Sequence, residues 1–123
     1  VYKSIEKLHD VHMKKINDSF VVITKSKMLQ LDLNKINYFE SKKHYVIANM
    51  DNEQVKFRMN ISKLYLQLSE TKFVRCHKGY IVNLASIKYI DKLWINLRNK
   101  EQIPIGMYYR DMTNEAYLKY IAK

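Results

Sequence analysis

Leu29, Leu31 and Leu33 alternate with Gln30 and Asp32, and Val55, Phe57 and Met59 alternate with Lys56 and Arg58. A period of two is what a strand with one buried face requires. Leu93, Ile95 and Leu97 repeat it, and apolar stretches of strand length lie at residues 20–24, 36–40, 45–50, 73–76, 80–82, 87–90 and 103–105. Turn-forming residues recur at 41–43, 51–53 and 99–101, the close spacing of consecutive antiparallel strands. The pattern predicts a mainly β fold of short antiparallel sheets.

Three segments depart from that period. Val1, Ile5, Leu8 and Val11 fall at near-helical spacing, which predicts an N-terminal helix or linker over residues 1–15 and a compact domain over 16–123. Asn60 is a good N-cap, and Ile61, Leu64, Tyr65 and Leu68 follow at i, i+3, i+4 and i+7, predicting one short internal helix whose amino end could hold a phosphate. From Asp111 or Thr113 onward, Met112, Ala116, Tyr117, Tyr120 and Ile121 form one stripe of a C-terminal helix that packs on the sheet. Pro104 interrupts a short apolar run, so its strand lies at a sheet edge or is about to leave the sheet.

Composition narrows the function classes. A chain of 123 residues fits one domain, long enough to bury roughly two-thirds of the surface its unfolded form exposes. Lys and Arg number 22 against 12 Asp and Glu, a net charge of +10 that attracts polyanions. The single cysteine, Cys76, excludes an internal disulfide framework and a multi-cysteine zinc site, and fits a reducing cytoplasm. No run reaches the roughly 18 apolar residues of a membrane span. Gly79 and Gly106 are the only glycines, so neither a dinucleotide fingerprint nor a P-loop is available. The first residue is Val1, consistent with a piece of a longer protein.

Catalytic constellations are lacking. Cys76 and His77 are adjacent on a predicted strand and so point to opposite faces, which makes Cys76 a buried filler rather than a nucleophile. His9 and His12, with Asp10 nearby, are a weak metal pair with no third ligand indicated. Glu40 and Asp91 have no second carboxylate close in sequence. The expectation is a protein without enzymatic activity, metal or cofactor. Basic groups, in contrast, recur where strands end: Lys42, Lys43 and His44, then Arg75, His77 and Lys78, then Arg110. Such side chains neutralise phosphates and hydrogen-bond to base edges. Most of the ten tyrosines sit on strand or helix stripes, where they serve the core rather than stack on bases.

Three stretches carry a family resemblance. Ile36-Asn37-Tyr38-Phe39-Glu40-Ser41 with His44, the segment Phe73-x-Arg75-x-His77-x-x-Tyr80-Ile81-Val82-Asn83 followed by Ile87 and Ile90, and Ile103-Pro104-Ile105 resemble the LytTR family. The likeness runs from about residue 16 to 123. It implies an elongated arrangement of short β-sheets whose loops enter successive major grooves of duplex DNA, as the output domain of a bacterial response regulator. It also implies DNA-contacting or supporting roles for His44, Asn60, Arg75, His77 and Lys78, to which the basic pattern adds Lys43 and the turn before the last helix adds Tyr108 and Arg110 as expected DNA-binding residues. Where the family continues with serine and arginines, Gly106, Met107 and Tyr108 stand here, which predicts reduced or altered sequence specificity, with Arg110 near enough to take over the base contact or to meet a phosphate instead. An upstream phospho-receiver and a homodimer on tandem sites are further implications. The competing expectations are a basic module docking on an acidic protein or membrane surface, and RNA or single-strand binding.

Overall fold

The fold is that of a computed structural model. It describes residues 3–8, 12–16, 18–23 and 28–123, the first two segments as backbone strands only. In chain order the strands are β1 (Lys3–Leu8), β2 (His12–Ile16), β3 (Ser19–Ile23), β4 (Met28–Asp32), β5 (Ile36–Lys42), β6 (Tyr45–Met50), β7 (Glu53–Arg58), β8 (Phe73–His77), β9 (Tyr80–Asn83), β10 (Ile87–Ile90), β11 (Trp94–Leu97) and β12 (Gln102–Pro104). Helix α1 (Ile61–Gln67) follows β7, and α2 (Arg110–Ile121) follows a 3-10 turn at Met107–Tyr109.

A six-stranded sheet, β1-β7-β6-β5-β9-β8, lies at the centre, with β2-β3-β4 and β10-β11-β12 as separate sheets. Strands β5, β8 and β9 each carry an adjacent apolar pair, Tyr38-Phe39, Phe73-Val74 and Ile81-Val82. Successive side chains leave a strand on opposite faces, so each pair serves two cores. Phe39, Phe73 and Ile81 join Phe20 and Val22 of β3, Leu31 of β4 and Leu64 of α1 on one side. Tyr38, Val74 and Val82 join Ile87, Ile95 and Ile103 of β10 to β12 on the other, with Ala116, Tyr117 and Tyr120 of α2 packed against them. Each such fully buried side chain stabilises by about 1.5–3 kcal/mol, and the covered sheet becomes a stiff frame.

Antiparallel pairing within that frame sets the functional end. The last pair of β5 and β6 is Lys42↔Tyr45, and that of β8 and β9 is His77↔Tyr80. Two-residue tips, Lys43-His44 and Lys78-Gly79, close these hairpins. Because Tyr45 also pairs with Arg58, the end of β7 and the start of α1 come to the same end of the sheet.

The predicted N-terminal helix is corrected: β1 pairs parallel with β7, and β2 pairs antiparallel with β3. Ile5 faces Val55 and Leu8 faces Phe57, so three residues on β1 span two on β7 and the register shifts between them. That extra residue reproduces the i, i+3 spacing of a helix. An isolated helix of this length is marginal in water, whereas the edge of β7 offers a row of backbone partners. The weak metal pair at His9 and His12 lies outside the described side chains.

Elsewhere the differences are small. Helix α2 begins at Arg110, and of its stripe Met112 and Ile121 are exposed. Thr113 is buried instead, its Oγ1 donating to the Tyr109 carbonyl at 2.7 Å. Pro104 ends β12, an edge strand, where no ladder donor is missed. No described helix is long and apolar enough to cross a membrane.

Candidate nucleic-acid interface

The first tip is open. Lys42, Lys43 and His44 are all exposed, and Lys43 holds φ at 57°, in the left-handed region that a side chain disfavours. One backbone bond steadies it, from the Met59 N–H to the His44 carbonyl at 3.1 Å. Ser41, Lys43, His44, Arg58, Met59, Asn60 and Ile61 surround a shallow cleft of about 290 Å³. Arg58, exposed beside His44, is absent from the sequence-based expectation. Its only sequence signal is the polar phase of a strand, and pairing with Tyr45 is what brings it here.

Asn60 acts first on its own helix. Its Oδ1 accepts the N–H groups of Ser62 and Lys63 at 2.8 and 3.2 Å, so these donors at the amino end of α1 are already occupied. A phosphate on those two donors, expected from the sequence, is therefore replaced by the cap. What Asn60 retains for a ligand is the NH₂ of its amide.

The second tip is locked. The Arg75 guanidinium donates to Ser62 Oγ and to the Lys78 carbonyl, both at 2.7 Å, and lies 5.8 Å from the centre of the Tyr109 ring. Its Nε is buried without a hydrogen-bond partner. Arg75 thus clasps α1, the β8–β9 tip and the turn before α2. His77 Nδ1 accepts the Gly79 N–H at 3.0 Å, which places the proton of a neutral ring on Nε2, and its ring meets Tyr80 edge-on at 5.4 Å. Tyr80 in turn donates to Glu40 at 3.3 Å, and burial, reinforced by the Glu40 charge, pushes its phenol upward. Lys78 is left exposed at the apex.

These tips are joined, the Ser41 N–H donating to the Gly79 carbonyl at 2.8 Å. The third element, Met107–Tyr109, is fastened alongside by the Gly106 N–H, which donates to the Cys76 carbonyl at 2.8 Å. A Cβ on Gly106 would stand 3.1 Å from Tyr109 Cδ2 and 3.6 Å from His77 Cα, so the close approach favours glycine. Lys43, His44, Arg58, Asn60, Arg75, His77, Lys78 and Tyr108 therefore lie along one continuous ridge. Arg110 does not join it: its guanidinium donates to the Lys92 carbonyl and borders a separate cleft with Asp91 and Asn114. The expected substitution of Arg110 for a ridge contact is not what this geometry provides.

Cys76 lies beneath the ridge, fully buried, with burial raising its thiol to about 12. Among the described residues no group of acidic, histidine or cysteine side chains could hold a metal. The ridge offers cations and hydrogen-bond groups on a rigid edge, which suits a polyanion.

The family model for the LytTr DNA-binding domain matches residues 26–117. The chain belongs to the LytTr DNA-binding domain family. Accessory gene regulator protein A of Staphylococcus aureus (strain N315) is 36% identical to it over 80 residues, covering 62% of this chain and 33% of that protein. The Staphylococcus epidermidis protein of the same name (strain RP62A) is 38% identical over 68 residues, 54% of this chain and 28% of that protein. This LytTr domain therefore spans about a third or less of the length of these curated relatives. A solved LytTr DNA-binding domain from Bacillus cereus superposes with a TM-score of 0.70 over 81% of this chain and 96% of its own, at 21% identity. The antiparallel β frame with a C-terminal helix is shared with that domain.

Proposed function

We propose that the ridge binds double-stranded DNA in a sequence-specific manner, as the output domain of a transcription regulator. The observation that carries this reading is the convergence of two hairpin tips and one turn, bearing Lys42, Lys43, Arg58 and Lys78 on a frame buried on both faces. Exposed lysines and Arg58 neutralise phosphates and set the register. His44, exposed at the apex of the open tip, is the side chain best placed to reach a base edge. Arg75 and His77 hold the second tip in shape and act on DNA through it.

With about six phosphates neutralised, log affinity falls with log salt at a slope near −5. Competition among a selected duplex, single strands and heparin is the direct test. Preference for one duplex sequence with that slope supports the reading. Equal binding to heparin and every nucleic acid replaces it with a general basic docking module, and preference for single strands with an RNA or single-strand function. Placement of two domains on tandem sites by an upstream phospho-receiver rests on the resemblance and the relatives' greater length. Sedimentation of the complete reading frame with and without phosphorylation tests it, and an unphosphorylated dimer or a persistent monomer would count against it.

A further inference from the structure

Met107 and Tyr108 are 93% and 90% exposed, the two most exposed large apolar side chains described, and they are consecutive. Flexibility does not account for this. The Tyr109 N–H donates to the Gly106 carbonyl at 2.9 Å, and the Arg110 N–H to Met107. Gly106 is bound to Cys76 on one side, and Thr113 holds the Tyr109 carbonyl on the other. Tyr109 turns back beneath Arg75, its ring 5.3 Å from that of Tyr108 and edge-on to it. The backbone is clamped at each end and directs the two preceding side chains into water.

Their neighbours name the surface they would meet. Gly106 lies against His77, and Tyr109 under Arg75, so the pair stands directly beside the locked tip and its exposed Lys78. An apolar pair flanked by cations on a +10 chain fits a ligand with negative charge outside and an apolar group between. In the major groove of duplex DNA the base edges present one apolar group, the C5 methyl of thymine. Phosphates offer a methionine nothing comparable, and the sugars are the same at every base and carry no sequence information. We infer that Met107 and Tyr108 read thymine through contact with its C5 methyl, making this turn a specificity determinant that works without hydrogen bonds. The inference rests on the duplex-DNA reading of the ridge.

Deoxyuridine differs from thymidine by that methyl alone, which permits a clean experiment. A high-affinity duplex is selected for the 123-residue chain, and each thymine is replaced singly by deoxyuridine. At one or two positions affinity falls about three- to fivefold, the value of burying one methyl group. In Met107→Ala or Tyr108→Ala the same replacement has no effect, while the salt slope is unchanged. Both residues are exposed, so each variant folds, and circular dichroism verifies it. Retention of the preference by both variants, or no response to any replacement despite strong salt dependence, overturns the thymine reading and leaves duplex binding intact. Loss of duplex preference altogether overturns both.

Discussion

The two hairpin tips at the end of the central sheet have similar residues and opposite circumstances. Lys43-His44 is exposed, strained at Lys43 and steadied by a bond to Met59, whereas Lys78-Gly79 is gripped by Arg75, His77 and Ser41. In the first tip a histidine faces solvent. In the second, a histidine completes its own turn. Basic and histidine residues in a binding motif thus divide into those presented to a ligand and those that give the presenting loop its shape, and hydrogen bonding within the fold tells them apart.

Arg75→Ala is the strongest way to break this comparison. It removes two charged hydrogen bonds and the contact with Tyr109, with an expected stability loss of about 2–3 kcal/mol in urea unfolding. DNA affinity falls with it, and Arg75→Lys restores little because an ammonium cannot fork between Ser62 and Lys78. An unfolding midpoint that does not move would show the second tip to be no more locked than the first.

The paired histidine variants come next. His44→Ala should reduce binding to the preferred duplex by about 1–3 kcal/mol, spare random DNA, and leave stability within about 0.5 kcal/mol. His77→Ala should instead lose about 1 kcal/mol of stability, the worth of one hydrogen bond, and weaken preferred and random duplexes alike. Identical profiles for the two variants in binding and melting would erase the distinction.

Cys76 reports on the locked side through pH. Burial raises its thiol from 9.0 to about 12, so between those values the unfolded chain ionises while the folded one stays neutral. The unfolded state then binds fewer protons, and stability declines as pH rises. It is complete below the lower value and lost through the upper. The Cys76→Ala chain should show a shallower decline over that window, and native Cys76 should react slowly with thiol reagents.

Lys43→Gly has the smallest effect and sharpens the open side. Relief of the left-handed strain is worth about 1–2 kcal/mol, offset by glycine's added unfolded-state freedom of roughly 0.5–1 kcal/mol. Stability should therefore hold or rise by about 1 kcal/mol, while the lost cation lowers the salt slope by about 1. A marked loss of stability would mean that Lys43 supports the tip as Arg75 supports its neighbour.

Much of the frame was readable because it follows from local chemistry. Alternation located β4 and β7, Asn60 announced α1, and Pro104 announced an edge. The N-terminal segment misled because the register shift between Ile5 and Leu8 imitates helical spacing. At the site, Lys42, Lys43, His44 and Lys78 were legible as charges near turns. Arg58 was not, since it reaches the ridge through pairing with Tyr45, and Ser62 was hidden because only Arg75 gives it a role.

The chain alone determined which residues alternate, where a helix is capped, that no glycine-rich loop exists and that the molecule is a polycation. These are properties of near neighbours and of sums. Tertiary structure decided which of two basic tips is open, that Arg110 turns to Lys92 instead of the ridge, and that Met107 and Tyr108 stand in water. Each of those depends on residues far apart in the chain meeting at one end of a sheet, where competing partners fix what each side chain has left to offer.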